Sequence, residues 1–199
     1  MIWDKLSVFY DVFENAYNGK VNRQLINEIT AYISDGDIVL ECACGTGMLS
    51  VPIASKCKKL LATDYSVGML RQARKKLKDY QNVKLARTDI RKLHYEENRF
   101  DKVVAANVIH LLDSPNDAIN ELMRVCKVGG KIIIPTYVNA ERKEAGIVAG
   151  LIRILGVNFK RQYDYESYQA FFENLGYENI EYKLIKGRMP SAIAVISKQ

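Results

Sequence analysis

The chain opens on a helical rhythm. Trp3, Leu6, Tyr10, Phe13 and Tyr17 recur every three or four residues and form one apolar stripe, which Asn18-Gly19 interrupts. A second stripe follows in Leu25, Ile26, Ile29, Tyr32 and Ile33. The pattern predicts two amphipathic helices joined by a turn. The rhythm then changes. Short β-rich runs at 38–42, 59–63, 83–86, 102–106 and 131–135 alternate with helical stretches. A helix follows the first run over 49–54, and Ser66 is placed to cap another that runs to about residue 78. Ser114-Pro115-Asn116-Asp117 reads as a helix start, with a cap, a proline in the first turn and an acid at the third position. Ile119, Leu122, Met123 and Cys126 give that helix its buried face, and Gly129-Gly130 is expected to end it. Strands alternating with helices imply a mostly parallel sheet covered on both faces.

The last third has a different order. Residues 139–155 read as helix, with glycines at 146 and 150. Asp164 caps a further helix that Gly176 terminates. Two strands at 180–185 and 192–197 are then separated by only 186–191, too short for a crossover helix, so they must pair as an antiparallel hairpin. No linker, repeat or low-complexity segment divides the chain, and residues 1–199 read as one domain.

Composition adds limits. The 199 residues are 48% hydrophobic and 26% charged, enough for one well-buried core. The net charge of +6 would favour an anionic partner. The densest basic cluster, Arg71, Arg74, Lys75, Lys76 and Lys78, falls at helical spacing and reads as a solvated helix face. No basic domain or interleaved aromatic platform is present, so nucleic acid is not an expected partner. Cys42, Cys44, Cys57 and Cys126 show neither zinc nor disulfide spacing, so no metal is expected and a reducing cytoplasm fits. Asp4, Asp11 and Glu14 argue against a signal peptide, and the apolar stretch 147–157 contains Arg153 and is too short to span a bilayer.

Chemistry concentrates where the strands end. The sharpest signal is Val39-Leu40-Glu41-Cys42-Ala43-Cys44-Gly45-Thr46-Gly47, a strand running into a glycine turn and then a helix. Gly45 and Gly47 let the backbone come close to a ligand, and the helix start offers free N–H groups. The dinucleotide pattern G-x-G-x-x-G is not met, because Ser50 takes the third glycine position. Asp64 ends the second strand, beside this loop, where its two oxygens can accept both hydroxyls of a ribose. Thr88-Asp89-Ile90 follows the third strand. There Asp89 can accept from an exocyclic amine, the next amide can donate to a ring nitrogen, and Ile90 can pack on a base. Asn107-Val108-Ile109-His110-Leu111 follows the fourth, and His110 is either a proton acceptor or a structural histidine that orders the loop.

Together these residues resemble the class I S-adenosylmethionine-dependent methyltransferases, and look most like the small-molecule branch that includes quinone-methylating enzymes. The resemblance rests on ECACGTG, Asp64, Thr88-Asp89-Ile90, FDKVVAANVIHLL and VGGKIIIPTY, and covers roughly residues 20–197. It implies a doubly wound, Rossmann-like α/β fold with a seven-stranded sheet in the order 3-2-1-4-5-7-6, strand seven antiparallel, and helices on both faces. It implies S-adenosyl-L-methionine as cofactor, with S-adenosyl-L-homocysteine as product. Glu41 would lie near the methionine amino group, and Ala43, Cys44, Gly45, Thr46 and Gly47 would wrap the methionine part. Asp64 would hold the ribose, flanked by Tyr65, Ser66 and Met69. Thr88, Asp89 and Ile90 would hold the adenine, and Asn107 and Val108 would line the sulfonium side. Residues 1–34 would form a lid that includes Tyr10, 35–137 the cofactor-binding core, 138–163 an acceptor-side insertion, and 164–199 the last helix and hairpin.

Two departures from the family pattern matter. Ala43 stands where the family usually has glycine, which implies a negative φ here. Val108-Ile109-His110 replaces the two prolines and aromatic found in enzymes that methylate nucleobase amines. The acceptor is therefore expected to be small and apolar or aromatic. If it must lose a proton, His110 is the first candidate base, with Tyr10 and Tyr137 behind it. A lipid or polyprenyl acceptor at a membrane surface is the alternative, favoured by the +6 charge and the segment 146–157. A non-catalytic cofactor-binding module is the other. Oligomeric state is not legible.

Overall fold

The computed structural model describes residues 3, 4, 7, 10–139 and 160–199, and of residues 10–17 the backbone alone. Leu6, the side chains of Tyr10, Phe13 and Tyr17, and residues 140–159, which hold all but the first residue of the helix expected at 139–155, lie outside the described residues.

Seven strands form one sheet: β1 (Ile38–Cys42), β2 (Lys59–Asp64), β3 (Val83–Arg87), β4 (Phe100–Ala105), β5 (Cys126–Tyr137), β6 (Ile180–Ile185) and β7 (Ser191–Ser197). Their order is β3-β2-β1-β4-β5-β7-β6, as the resemblance implied. The pairs β1–β2, β1–β4, β2–β3 and β4–β5 are parallel, while β7 runs antiparallel to both β5 and β6. The five-residue link between the last two strands forces that reversal.

Alternation along the strands feeds two cores. Leu40, Val103, Ile132 and Ile134 face α4 (Pro115–Val125) and α5 (Tyr165–Glu173). Val39, Val104, Ile133 and Val195 face α1 (Tyr10–Thr30), α2 (Ser50–Ala54) and α3 (Val67–Lys76). The strands are thus covered on both sides, which is why they read as nearly continuous apolar runs.

Of the N-terminal stripes, Tyr10–Thr30 is one helical run kinked at Asn18, where φ is −128° and ψ is 17°. The kink frees the Asn18 side chain, whose Nδ2 donates to the Met189 carbonyl at 3.1 Å and whose Oδ1 accepts from the Met189 amide at 3.4 Å. A break that reads as a turn in sequence therefore ties α1 to the β6–β7 connection.

The helix ends show which local signals held. Ser66 accepts from the Met69 amide at 3.2 Å, and Asp164 forms a reciprocal capping box with Ser167. Ser114 was expected to cap α4 but makes no side-chain cap bond; Pro115 in the first turn and Asp117 start that helix without it. Gly129-Gly130 does not end α4 either. The helix stops at Val125 and Cys126 already pairs with Phe100 in the sheet, so β5 starts five residues earlier than expected, across a register shift. Cys126 is a fully buried strand residue, not a helix residue. Gly130 is required because a Cβ there would lie 2.7 Å from Cys126 Sγ and 2.8 Å from the Asp101 carbonyl.

Lys198 closes the C-terminal end of α4. Its Nζ donates to the carbonyls of Met123 and Cys126, both at 2.8 Å, and to Asn98 Oδ1 at 2.9 Å. A cation there satisfies carbonyls that the helix itself leaves unpaired. Lys198→Ala is expected to lower the unfolding free energy by about 1–3 kcal/mol, read as a lower urea midpoint with an unchanged slope.

Candidate active site

The loop after β1 turns through three residues of positive φ: Ala43 (54°), Gly45 (56°) and Gly47 (85°). Ala43 corrects the expectation of a negative φ. An alanine is held there in the left-handed region, where its Cβ is crowded by the neighbouring carbonyl. Gly45 and Gly47 differ in purpose. A Cβ at Gly45 would meet nothing within 4 Å, so that glycine answers to backbone conformation alone. A Cβ at Gly47 would press on Ala73 Cα at 3.3 Å, so this glycine lets α3 pack against the loop, and it is not part of the cavity wall.

Two carboxyl groups anchor the turn. Asp64 Oδ2 accepts from the Gly45 amide and Oδ1 from the Ser66 amide, each at 2.8 Å. The Cys44 amide donates to the Thr63 carbonyl at 2.9 Å, extending the β1–β2 pairing into the loop. Burial pushes Asp64 up from the usual carboxylate range, against the pull of the Ser66 and Gly45 amides. Glu41 is 1% exposed and accepts from Ser50 Oγ at 2.6 Å. Burial pushes it up to about 8.

These groups border a cavity of about 470 Å³ at the C-terminal ends of β1, β2, β3 and β4. The β1 loop contributes Glu41, Ala43, Cys44, Gly45 and Thr46. The end of β2 and the start of α3 contribute Asp64, Tyr65, Ser66 and Met69, and Trp3 joins them from the N-terminal segment. The β3 side gives Thr88, Asp89 and Ile90, and the β4 side gives Asn107 and Val108. The structure thus brings every expected cofactor residue to one place except Gly47, which lies behind the loop, and Tyr10, whose side chain is outside the described residues.

Asp89 is already engaged. The Arg91 guanidinium clasps it through Nε at 3.1 Å and Nη2 at 2.7 Å, and the Arg91 amide donates to the same carboxylate at 2.9 Å. That guanidinium holds the Asp89 carboxyl below its usual range. Asn107 has φ of 52°, and its Oδ1 is buried without a hydrogen-bond partner among the described residues.

His110 does not border the cavity. It is 4% exposed, with Nδ1 2.8 Å from Thr136 Oγ1, and its carbonyl accepts from the amides of Lys160 and Arg161. Burial lowers its pKa to about 4, so the imidazole is neutral at pH 7. Tyr137 lies beside it, with ring centroids 6.4 Å apart.

Residues 40–134 match the family model of the methyltransferase domain. Over 141 residues the chain is 33% identical to phosphatidylethanolamine N-methyltransferase of Cereibacter sphaeroides, covering 69% of this chain and 68% of that enzyme. The chain belongs to the S-adenosylmethionine-dependent methyltransferases. It is also 32% identical over 99 residues to demethylmenaquinone methyltransferase of Clavibacter sepedonicus, covering 50% of this chain but only 40% of that protein. In fold it matches an S-adenosylmethionine-dependent methyltransferase of Thermotoga maritima with a TM-score of 0.76 and 17% identity, over 100% of this chain and 99% of that one.

The cavity of this methyltransferase fits the family's cofactor. S-adenosylmethionine carries an ammonium and a sulfonium, and the described wall offers the buried acid Glu41, the half-buried Asp64 and the Asn107 oxygen to receive donors and positive charge. Open space above Gly45 leaves the backbone accessible. Leu111 and Leu112, from the stretch after the fourth strand, also border the cavity, as do Arg91 and Asp113, which were not singled out from sequence. The Asp89-Ile90-Arg91 spacing, in which an aspartate bonds the amide two residues on, was the available signal for Arg91.

Glu41 yields a pH-dependent stability. The folded carboxyl keeps its proton up to about 8, whereas the unfolded one releases it near 4.5. Between these values the unfolded state binds fewer protons, so this group's contribution is fully present below pH 4.5 and is lost as pH rises toward 8. Glu41→Gln is expected to gain stability over the wild type across that window, by up to about 1.4 kcal/mol per pH unit. Urea unfolding of both proteins from pH 5 to pH 8 measures it, and parallel profiles would show that Glu41 ionises normally.

Proposed function

We propose that this methyltransferase holds S-adenosylmethionine in the cavity above the β1 loop and delivers its methyl group to a small acceptor with apolar or aromatic surface. The observation that carries the reading is the Asp64 bridge, in which a half-buried carboxylate and a reversed glycine loop stand side by side at the ends of β1 and β2. Asp64 would take the ribose hydroxyls, with Tyr65, Ser66 and Met69 beside it. Glu41 and Asn107 would receive the methionine end, and Ala43 to Thr46 would wrap it. Asp89 would reach the adenine amine through oxygen lone pairs left by Arg91, with Thr88 and Ile90 along the base. When bound, S-adenosylmethionine supplies a methyl group already activated by positive sulfur, so the protein's part is alignment and exclusion of water.

Support for an apolar acceptor comes from Val108, Leu111 and Leu112 on the β4 side of the cavity. His110 is buried and does not border the cavity, which supports the structural role over that of base. The division into a lid at 1–34, a core at 35–137, an acceptor wall at 138–163 and a closing unit at 164–199 belongs to the same proposal, as does a cytoplasmic location. Among the described residues no helix is long and apolar enough to cross a membrane.

Titration calorimetry tests the cofactor assignment. The expected result is saturable binding of S-adenosylmethionine and S-adenosylhomocysteine, with no heat from NAD. Asp64→Ala should weaken that binding by about 1.5–3 kcal/mol, as expected for charge-assisted bonds. Unchanged affinity would sink the ribose role.

The second reading is a lipid acceptor, favoured by the 33% identity to an enzyme named for phosphatidylethanolamine and by the +6 charge. Release of S-adenosylhomocysteine with a soluble phenolic or quinol acceptor, against phosphatidylethanolamine vesicles, separates the two. Turnover with the soluble acceptor and none with vesicles is the expected outcome, and the reverse would establish the lipid reading.

A further inference from the structure

The N-terminal segment meets α3 through a contact that the cofactor assignment does not explain. Trp3 and Asp4 are helical, and Ser7 turns back onto them: its amide donates to the Trp3 carbonyl and its Oγ to the Asp4 carbonyl, both at 3.0 Å. From that turn Asp4 Oδ1 accepts from Ser66 Oγ at 2.6 Å and from the Gly68 amide at 2.7 Å. Ser66 is the cap of α3 and Gly68 lies in its first turn, so the carboxylate sits on unpaired donors at the positive end of a helix dipole.

Gly68 shows how close the approach is. A Cβ there would lie 2.6 Å from Asp4 Cα and 2.9 Å from the Asp4 carbonyl oxygen, backbone atoms that cannot swing aside. Gly68 is not among the residues of positive φ, so backbone conformation does not call for glycine. Alanine would be the better helix former. What the missing methyl provides is room for Asp4. The same turn carries Trp3, which borders the cavity alongside Tyr65, Ser66 and Met69.

We propose that Asp4 is a latch: by gripping Ser66 and Gly68 it seats the Trp3 ring as a wall of the cofactor cavity and so retains the bound cofactor. Asp4 is thus a positioning residue that acts through Trp3. The proposal rests on the reading of the cavity as the S-adenosylmethionine site. The Ser66 hydroxyl, with the Gly68 amide behind it, holds the Asp4 carboxyl far below its ordinary range, so the latch stays charged at neutral pH.

The chain has one tryptophan, so intrinsic tryptophan fluorescence reports on Trp3 alone. The experiment compares wild type, Gly68→Ala and Asp4→Asn, measuring emission maximum, S-adenosylhomocysteine affinity and thermal midpoint. Both variants are expected to shift the emission of the ligand-free protein to the red, as Trp3 moves into water. Both should bind S-adenosylhomocysteine about tenfold more weakly, chiefly through faster release. Gly68→Ala should keep a thermal midpoint at or above that of wild type, a split that a merely structural contact would not produce. Wild-type emission and affinity in both variants would overturn the latch alone. Absence of S-adenosylhomocysteine binding by the wild type would overturn the cofactor reading, and the retention role with it.

Discussion

Asp64 holds the Gly45 amide with one oxygen and the Ser66 amide with the other, and the shape of the cavity follows from that bridge. Without it, nothing in β1 would oblige the chain to reverse through three successive positive-φ positions spaced two apart. The carboxylate replaces a partner that two backbone amides need if they are to be withdrawn from water. It also locks the end of β1 to the start of α3, so loop, strand and helix move as one unit. Because each oxygen has a lone pair left over, the group can take ligand hydroxyls without surrendering its structural bonds.

The charge distribution around that bridge is directional. Two acids lie under the loop, and burial raises both toward the neutral form. A buried acid awaiting a cation is at its least stable when empty and ionised, and gains most when positive charge arrives. The histidine near the site follows the opposite logic. His110 is sealed between the loop after β4, Thr136 of β5 and the backbone at 160–161, and is kept neutral by burial. Its neutrality spares the cavity a competing positive charge next to Asn107. Glu41 and Asp64 thus border one part of the cavity and Val108, Leu111 and Leu112 another, with Asp113 beside the last of them.

Much of this was legible from sequence because it is periodic or local. Short apolar, β-rich runs marked the strands, the short link read at 186–191 fixed the hairpin, and the ends of β1 to β4 carried the polar residues that gather around the cavity. What escaped has nonlocal causes. Cys126 looked like the next turn of α4, since its spacing from Ile119 and Leu122 is helical. Its pairing with Phe100, 26 residues earlier, draws it into the sheet. Ser114 has the right chemistry for a cap, but the chain enters α4 at φ −119° and ψ 79° without the bond. Ala43 was expected to avoid positive φ on steric grounds, and the Asp64 bridge overrides that local preference. Gly68 is a plain helix glycine in sequence, and only the arrival of Asp4 from 64 positions away gives it a purpose.

The strained residues fall in a pattern of their own. Four non-glycine residues among those described have positive φ: Ala43, Asn98, Asn107 and Asn179. Asparagine tolerates that region because its side chain can satisfy nearby backbone, so Asn98 and Asn179 beside their strand starts are ordinary turn residues. Ala43 and Asn107 are different, since both border the cavity. They terminate β1 and β4, the neighbouring strands at which the sheet changes direction of growth, from β3-β2-β1 on one side to β4-β5 on the other. Helices leaving those two strands depart to opposite faces, which opens a crevice between their loops. To turn away from each other within two residues of the last ladder pair, both chains take the left-handed conformation, at about 1–2 kcal/mol for an alanine. Strain at these two positions is therefore the local counterpart of the strand order itself, and it is what leaves Gly45 open and the Asn107 oxygen without a partner in the crevice.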